Sequence, residues 1–254
     1  MLFRSVEAFR KRLPGAAAAV CCHVSNVFGY ILPLERIAAL CRREGVPLVV
    51  DASQSAGCLP LDFEGLGCAF AAMPGHKGLL GPQGTGVLLC GGGPVRPLLE
   101  GGTGSDSLSA DMPAFLPDRL EAGTHNMPGI AGLLAGIWWL KGREPGAVLA
   151  HERRMLSRME EALAPHPGVR MFCSPDPALQ TGVLSLQLRD IDCEEAAHRL
   201  GERGVAVRAG LHCAPLAHDT AGTLERGTLR MSFSPFTTER EVLRAAQILW
   251  EAAG

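Results

Sequence analysis

The sequence has few of the features that suit a nucleic-acid or membrane partner. Its formal net charge is −2, and it carries one tyrosine and only 5% aromatic residues. Without a basic excess, there is no electrostatic case for binding phosphate backbones or acidic lipid surfaces, and so few rings argue against a stacking surface for single-stranded nucleic acid. No apolar run reaches the ~20 residues of a membrane-spanning helix, and residues 1–7 lack the sustained apolar region of a signal peptide. We therefore expect neither nucleic acid nor a membrane as the partner.

The cysteines show neither a disulfide pattern nor a zinc pattern. There are nine of them, an odd number, irregularly spaced and without a C-x-x-C pair. Disulfide frameworks and zinc sites are recognised by even counts or paired spacings. We expect free thiols, no metal ion and a reducing cytoplasm as the compartment.

The first half of the chain contains a strand–helix–strand pattern. Short apolar runs at 16–22 and 46–50 flank a helix that Pro33 opens and Gly45 ends. That order is typical of a βαβ unit, and hence of a parallel sheet covered by helices. The predicted helix has one apolar face, formed by Leu34, Ile37, Ala38 and Cys41.

The second half predicts a smaller α+β domain. Alternating apolar residues at 181–188 and 229–233 indicate strands, and residues 205–208 indicate another short one. Asp192 and Thr238 are each followed three residues later by Glu, the spacing of a capped helix start.

The length of 254 residues suits two domains. We predict an α/β large domain with a mainly parallel sheet over residues 1–145 and a small α+β domain over residues 146–254. Residues 98–121, which include the glycine-rich segment 101–105, predict a long loop that is functional or mobile.

One lysine, Lys77, stands inside a glycine-rich stretch, residues 73–86, between two apolar segments. Glycines let a backbone approach a ligand closely. In a partly desolvated pocket a lysine amine loses its proton more easily and becomes a nucleophile for an aldehyde cofactor. We predict that Lys77 forms a Schiff base in such a pocket. The alternative is a surface lysine in a glycine-rich turn.

Polar side chains follow both strands of the predicted βαβ unit. Asn26 lies just past the first strand, and Asp51 comes directly after the second, with Gln54 three residues further on. Ligands of open α/β sheets bind at the carboxyl ends of the strands, so we expect Asn26 and Asp51 to share one edge. The alternative for Asp51 is a helix N-cap with Gln54 as its reciprocal capping partner.

Two arginines and a cysteine form a second candidate cluster. Arg208 and Arg230 lie in predicted strands whose apolar residues point the other way, and Cys213 lies in the segment between them. Guanidinium groups bind carboxylates bidentately, so the pair predicts a carboxylate clamp. Cys213 would be a nucleophilic thiol if it is exposed near positive charge. The alternatives are surface salt bridges for the arginines and an inert core cysteine.

Six short motifs, in order along nearly the whole chain, resemble the class V aminotransferase family of fold-type I pyridoxal 5'-phosphate (PLP) enzymes. Within that family the similarity is greatest to the group II cysteine desulfurases and selenocysteine lyases. No single motif is decisive, and the resemblance depends on all six being in order. The motifs are His23-Val24-Ser25-Asn26, Asp51 to Gly57, Gly75-His76-Lys77, Gly123-Thr124-His125-Asn126, Arg208 to Pro215 and Leu229 to Phe233.

The resemblance implies a cofactor site. Lys77 would hold PLP as a Schiff base and later move a proton, and Asp51 would pair with the ring nitrogen so that the ring acts as an electron sink. The other implied contacts are Asn26 and Gln54 around the ring, His76 at the phosphate, and Thr124 at the phosphate of the other subunit's cofactor, which implies a homodimer.

The resemblance also implies a reaction. L-cysteine would be the substrate, with Arg230 binding its carboxylate and Arg208 nearby. Cys213 would take the sulfur as a persulfide, leaving L-alanine, and a sulfur-acceptor protein would be a further partner. The alternatives are a class V aminotransferase of other specificity and a non-catalytic fragment that needs a partner.

Three departures from the family pattern modify this expectation. Pro74 stands where the family usually has Ser or Thr, which removes a hydroxyl ligand of the phosphate, and His125 stands where many relatives have Pro or Leu. The family's large domain begins well upstream of Val6, so the resemblance implies an N-terminally shortened chain. The missing segment would supply a helix N-terminus that binds phosphate and a histidine that stacks on the ring. We therefore expect missing strands, uncovered apolar surface and weak PLP affinity.

Overall fold

The computed structural model describes residues 2–93, 95–102, 104–106 and 108–254, with side chains from Val6 onward. Two sheets, each with helices packed on it, make up this part of the chain. The helices are α1 Leu2–Arg12, α2 Leu34–Glu44, α3 Phe63–Leu66, α4 Met127–Lys141, α5 Ala147–Leu163, α6 Cys193–Glu202, α7 Pro215–Ala221 and α8 Glu239–Ala253. The strands are β1 Ala19–Cys22, β2 Leu48–Asp51, β3 Phe70–Pro74, β4 Gly86–Cys90, β5 Val169–Phe172, β6 Val183–Leu188, β7 Arg208–Gly210 and β8 Thr228–Ser232.

The first sheet has the order β1-β2-β3-β4. Strands β1, β2 and β3 are parallel, and β4 returns antiparallel to β3, so the predicted βαβ unit and the mainly parallel sheet are confirmed. Helix α2 connects β1 to β2 and buries the four apolar residues that its periodicity indicated. Gly45 ends the helix in the left-handed conformation (φ 67°) that residues without a Cβ adopt most readily.

One face of this sheet is packed and the other is open within the described part of the chain. In β1, Ala19 and Cys21 are buried among the apolar residues of α2, whereas Val20 and Cys22 on the opposite face are exposed. The side chains of Val20 and Leu88 are 73% and 49% exposed. The expectation of uncovered apolar surface on the first sheet is therefore confirmed.

The second sheet has the order β5-β6-β8-β7 and is antiparallel throughout. Its apolar face and the apolar stripes of α5, α6 and α8 form one core, in which Met159, Leu163 and Leu184 are fully buried. Helix α8 begins with the capping box that the sequence indicated, in which Thr238 and Glu241 exchange hydrogen bonds.

Some element predictions were wrong or missing. The run at 205–208 was expected to be a strand, but β7 starts only at Arg208 because its pairing with β8 extends over three residues. Strand β5 and helix α7 were not predicted at all. Of the predicted glycine-rich loop segment 101–105, Thr103 lies outside the described residues.

The predicted domain boundary falls between α4 and α5. The buried residues of one apolar cluster come from residues 13–71 and those of the other from residues 155–249. The division at residue 145 itself stays a prediction. In the part of the chain that the structure covers, no helix is both long and apolar enough to cross a membrane.

Candidate functional site

The topology of the first sheet brings three predicted site residues to one edge. Asn26 follows β1, Asp51 is the last residue of β2, and Lys77 lies in the turn after β3. Because these three strands are parallel, their carboxyl ends lie together, as expected for a ligand-binding edge of an α/β sheet.

Asp51 presents an ionised carboxylate on the open face of the sheet. Its Oδ1 accepts a hydrogen bond from the Ser53 amide at 2.8 Å, and its Oδ2 accepts one from the Cys22 thiol at 3.6 Å. Burial alone would raise the pKa of Asp51, but these bonds and the charge of Lys77 outweigh it and lower the pKa below its ordinary value. The carboxylate is therefore available to a positively charged donor at neutral pH.

The alternative role of Asp51 as a helix N-cap is wrong. Residues 53–58 form consecutive turns rather than a helix, and the Asp51 carboxylate accepts from the residue two positions on, which is the geometry of an Asx turn. Gln54 lies half-buried in this turn segment.

Lys77 is carried by a narrow loop that packs against the Asp51 segment. The loop is closed at its base, where the Gly81 amide donates to the Gly75 carbonyl at 2.7 Å. Gly57 has a φ of 81°, and a Cβ added to it would lie 2.0 Å from the Gly78 carbonyl oxygen. Only a backbone without side chains fits this approach, so the two loops fix each other's position.

The expected desolvation of Lys77 is not found. Its side chain is exposed, because the face of the sheet beside it is open within the described residues. Its charge nevertheless helps to lower the pKa of Asp51, and it partly opposes the rise that burial and Asp51 cause in the pKa of Cys22. The amine and the carboxylate therefore lie within electrostatic reach of each other.

The predicted phosphate ligands are exposed. His76 lies beside Lys77, and Thr124 lies shortly before α4, which Asn126 caps by accepting from the Gly129 amide at 3.1 Å. Pro74 ends β3 and provides no hydroxyl at this position. The described residues therefore offer few groups for a phosphate.

Asn26 joins this edge to the second sheet. Its side-chain amide donates to the carbonyl of His212 at 2.7 Å, and its backbone carbonyl accepts from Nη1 of Arg230 at 2.8 Å. Its side chain is thus engaged with the Cys213 turn, whereas the sequence predicted a cofactor contact. These two hydrogen bonds place Arg230 and the Cys213 turn beside the carboxyl edge of the first sheet.

Arg208 and Arg230 are direct cross-strand neighbours in β7 and β8, so they project to the same face, as predicted. Nε of Arg230 is buried and has no hydrogen-bond partner among the described residues. Burial, followed by the nearby charge of Arg208, lowers the pKa of Arg230, and the Cys213 thiol opposes this. An anionic ligand would relieve the repulsion between the guanidinium groups and satisfy the unpaired Nε.

Cys213 is one of two exposed cysteines, and all nine cysteines are free thiols. His212 and Cys213 have φ values of 51° and 59°, a left-handed conformation that costs residues with a side chain about 1–2 kcal/mol each. Burial and the charge of Arg230 lower the pKa of His212 to about 4, so its ring is neutral at pH 7. The inert-core alternative for Cys213 is wrong, because the thiol is on the surface beside positive charge.

The residues at the carboxyl edge match the ring end of PLP. An ionised carboxylate suits a protonated pyridine nitrogen, and an exposed primary amine nearby suits an aldehyde. Sequence reasoning missed Cys22 and Ser53, the two donors to Asp51. The sequence carried no signal for the Cys22 contact, because it depends on the register that pairs Cys22 with Asp51.

Comparison with known proteins agrees with this geometry. The family model described as aminotransferase class-V matches residues 4–244. A probable cysteine desulfurase of Methanothermobacter thermautotrophicus is 34% identical over 239 residues, covering 91% of this chain and 59% of the relative. The cysteine desulfurase CsdA of Escherichia coli is 35% identical over 225 residues, covering 86% and 54% respectively.

Solved structures of similar proteins have the same fold. The apo structure of the cysteine desulfurase from Thermococcus onnurineus NA1 has a TM-score of 0.87 at 31% identity, over 97% of this chain and 62% of that one. CsdA from E. coli in its S-sulfonic acid form has a TM-score of 0.87 at 30% identity, over the same shares. The chain thus spans a little more than half the length of the curated relatives above.

Proposed function

Because the chain belongs to the class-V aminotransferase family, we propose that it works in the PLP-dependent removal of sulfur from L-cysteine. The observation that carries the proposal is the exposed Cys213 thiol on a left-handed turn, which Asn26 connects to the sheet edge with Asp51 and Lys77. A transaminase has no need of a thiol there, whereas sulfur transfer needs a nucleophile that solvent and an acceptor can reach.

PLP would be held by residues of the carboxyl edge and would supply an electron sink when bound. Lys77 would bind the aldehyde carbon and afterwards move a proton. The carboxylate of Asp51 would accept the hydrogen bond of the protonated ring nitrogen. The further contacts proposed are Gln54 and Asn26 beside the ring, and His76 and Thr124 at the phosphate.

Residues on the second sheet and on the turn after β7 would bind the amino acid and remove its sulfur. Arg230, with Arg208 beside it, would hold the substrate carboxylate. The thiolate of Cys213 would attack the substrate sulfur and form an S–S bond as the C–S bond breaks. The electron pair of the broken bond would stay with the substrate carbon, which takes up a proton, so that Cys213 carries a persulfide and L-alanine leaves.

The partners proposed are a second copy of the chain and a protein that accepts the sulfur. The exposed Thr124 would reach the cofactor phosphate of the second copy. The exposed Cys213 would hand its sulfur to the acceptor. Nine free thiols are compatible with a reducing compartment such as the cytoplasm.

The test is reduction of the PLP-treated chain with borohydride, followed by peptide mapping. The chain has three lysines, at positions 11, 77 and 141, so the other two serve as internal controls. We expect a pyridoxyl label on Lys77 that is lost in Lys77→Arg, and sulfide release from L-cysteine that is lost in Cys213→Ser while the label remains. A label on Lys11 or Lys141 instead of Lys77 would contradict the assignment.

A second candidate role is that of a subunit whose site is completed by another polypeptide. The exposed Lys77 and the open face of the first sheet favour it. In that case the purified chain alone would show neither the label nor sulfide release, and both would appear when the completing polypeptide is added.

A further inference from the structure

One row of residues crosses the open face of the first sheet at the carboxyl edge. Cys22 on β1 is paired with Asp51 on β2, which is paired with Ala72 on β3, which is paired with Leu88 on β4. Side chains of residues paired in this way lie side by side on one face. Cys22 is therefore the immediate lateral neighbour of the carboxylate on β2.

Both oxygens of the Asp51 carboxylate accept hydrogen bonds, and Ser53 bonds the carboxylate through its side chain as well as its amide. The Ser53 amide binds Oδ1 at 2.8 Å, and the Cys22 thiol binds Oδ2 at 3.6 Å. The amide is a strong donor fixed by the backbone, whereas a thiol is a weak donor. Oδ2 is thus oriented by Cys22 yet keeps most of its capacity to accept a stronger hydrogen bond.

The thiol is held in its protonated, donating form. Desolvation by the sheet, the negative charge of Asp51 and the hydrogen bond to it raise the pKa of Cys22, and the charge of Lys77 only partly opposes them. At neutral pH the group beside the carboxylate is therefore S–H and not a thiolate, which would repel it.

We propose that Cys22 is a positioning residue that acts through Asp51. Its thiol selects the rotamer in which Oδ2 faces the open side of the sheet, where the ring nitrogen of PLP would be bound. The effect on PLP binding rests on the proposed function, but the contact between Cys22 and Asp51 lies within this chain and does not require PLP. Because the donor is weak, it orients the carboxylate without greatly reducing its basicity toward that nitrogen.

The first arm of the test uses the chain without PLP. The rate of alkylation of Cys22 by iodoacetamide is measured against pH by peptide mapping, in the wild type and in Asp51→Asn. Removing the negative charge should lower the pH at which Cys22 becomes reactive, and Cys213 in the same samples is the internal control. An unchanged pH midpoint for Cys22 would overturn the proposed contact.

The second arm measures the dissociation constant of PLP and the pH dependence of its absorption. The variants are Cys22→Val, which has no donor, Cys22→Ser, which has one, and Val20→Ser, a control on the same strand and face. We expect a dissociation constant raised at least threefold in Cys22→Val, a value within about twofold of wild type in Cys22→Ser, and no change in Val20→Ser. Urea unfolding of each variant checks that it is folded.

The outcomes separate the two proposals. Equal PLP affinity and equal absorption profiles in the wild type and Cys22→Val would overturn the positioning role while leaving the proposed function intact. If the wild type itself gives no PLP absorption change and no label on Lys77, the proposed function fails, and the positioning role fails with it even where alkylation demonstrates the contact.

Discussion

The side-chain amide of Asn26 donates to the carbonyl of His212 at 2.7 Å, across 186 positions of sequence. This bond ties the end of β1 to the turn that carries Cys213. The same residue accepts from Arg230 through its backbone carbonyl. A side chain that the sequence placed in the cofactor site thus also fixes the distance between the two halves of the site.

Replacing Asn26 by Ala should loosen the Cys213 turn. A net hydrogen bond is worth about 0.5–1.5 kcal/mol, so we expect a loss of that size in the free energy of unfolding and a changed rate of Cys213 alkylation. Asn126→Ala is the matched control, because it removes the α4 cap at a similar cost of ~1 kcal/mol. Alkylation of Cys213 that responds equally to both substitutions would contradict the bridging role of Asn26.

The two loops at the carboxyl edge should tolerate no side chain between them. In Gly57→Ala the new Cβ would collide with the Gly78 carbonyl, so we expect displacement of the Lys77 loop and loss of borohydride-trapped label. Gly45→Ala is the control, because Gly45 has a similar positive φ of 67° with nothing within 4 Å of an added Cβ. Both substitutions strain the backbone, and only Gly57→Ala should affect labelling of Lys77.

Binding of the substrate should require the guanidinium group of Arg230 and not only its charge. Arg230→Lys keeps the charge but cannot bind a carboxylate bidentately while also donating to Asn26. We expect the L-cysteine concentration for half-maximal change in PLP absorption to rise at least tenfold. In Arg226→Lys, which alters a guanidinium bound to three carbonyls of residues 188–191, that concentration should stay within twofold of wild type.

The burial of Glu152 should make stability depend on pH. The Cys58 thiol donates to Oε2 of Glu152 at 3.2 Å between the Asp51 segment and α5. Burial raises the pKa of Glu152 from its ordinary 4.5 to about 7, against the opposing effect of the Cys58 bond. The folded state therefore holds this proton more tightly than the unfolded state, and the stabilisation present below pH 4.5 is lost as the pH rises through 7.

Urea unfolding between pH 4 and 8 tests this dependence. Relative to Glu152→Gln, which stays neutral, the wild type should lose on the order of 3 kcal/mol over that range. Glu161→Gln, at an exposed position of the same helix, should follow the wild type. Parallel curves for the wild type and Glu152→Gln would show that Glu152 does not change its charge in the folded protein over this range.

The sequence predicted those parts of the fold whose cause is local. The face of α2 follows from the spacing of Leu34, Ile37, Ala38 and Cys41, and all four are buried. The start of β7 does not follow from local pattern, because the apolar run from Val205 ends outside the strand and pairing with β8 decides where β7 begins. Strand β5 was missed for a similar reason, since it is defined by its pairing with β6.

The same distinction applies to the candidate site. Asn26 and Asp51 could be placed at one edge because parallel strands leave no other arrangement of their carboxyl ends. Lys77 reaches the same edge through β3, which was not predicted to be a strand. The exposure of Lys77 could not be predicted, since it depends on what covers the sheet face and not on the glycines around it. The contact of Cys22 with Asp51 depends on the register between β1 and β2, which a single sequence does not specify.

The backbone conformation of the turn at His212 and Cys213 exposes the thiol but lowers the stability of the fold. Both residues occupy a conformation that glycine adopts without cost. His212 is buried, but Cys213 is exposed, so a library selected only for heat resistance should accumulate glycine at position 213, a change that removes the thiol. Selection for thermal stability and selection for activity would then favour different residues at this one turn.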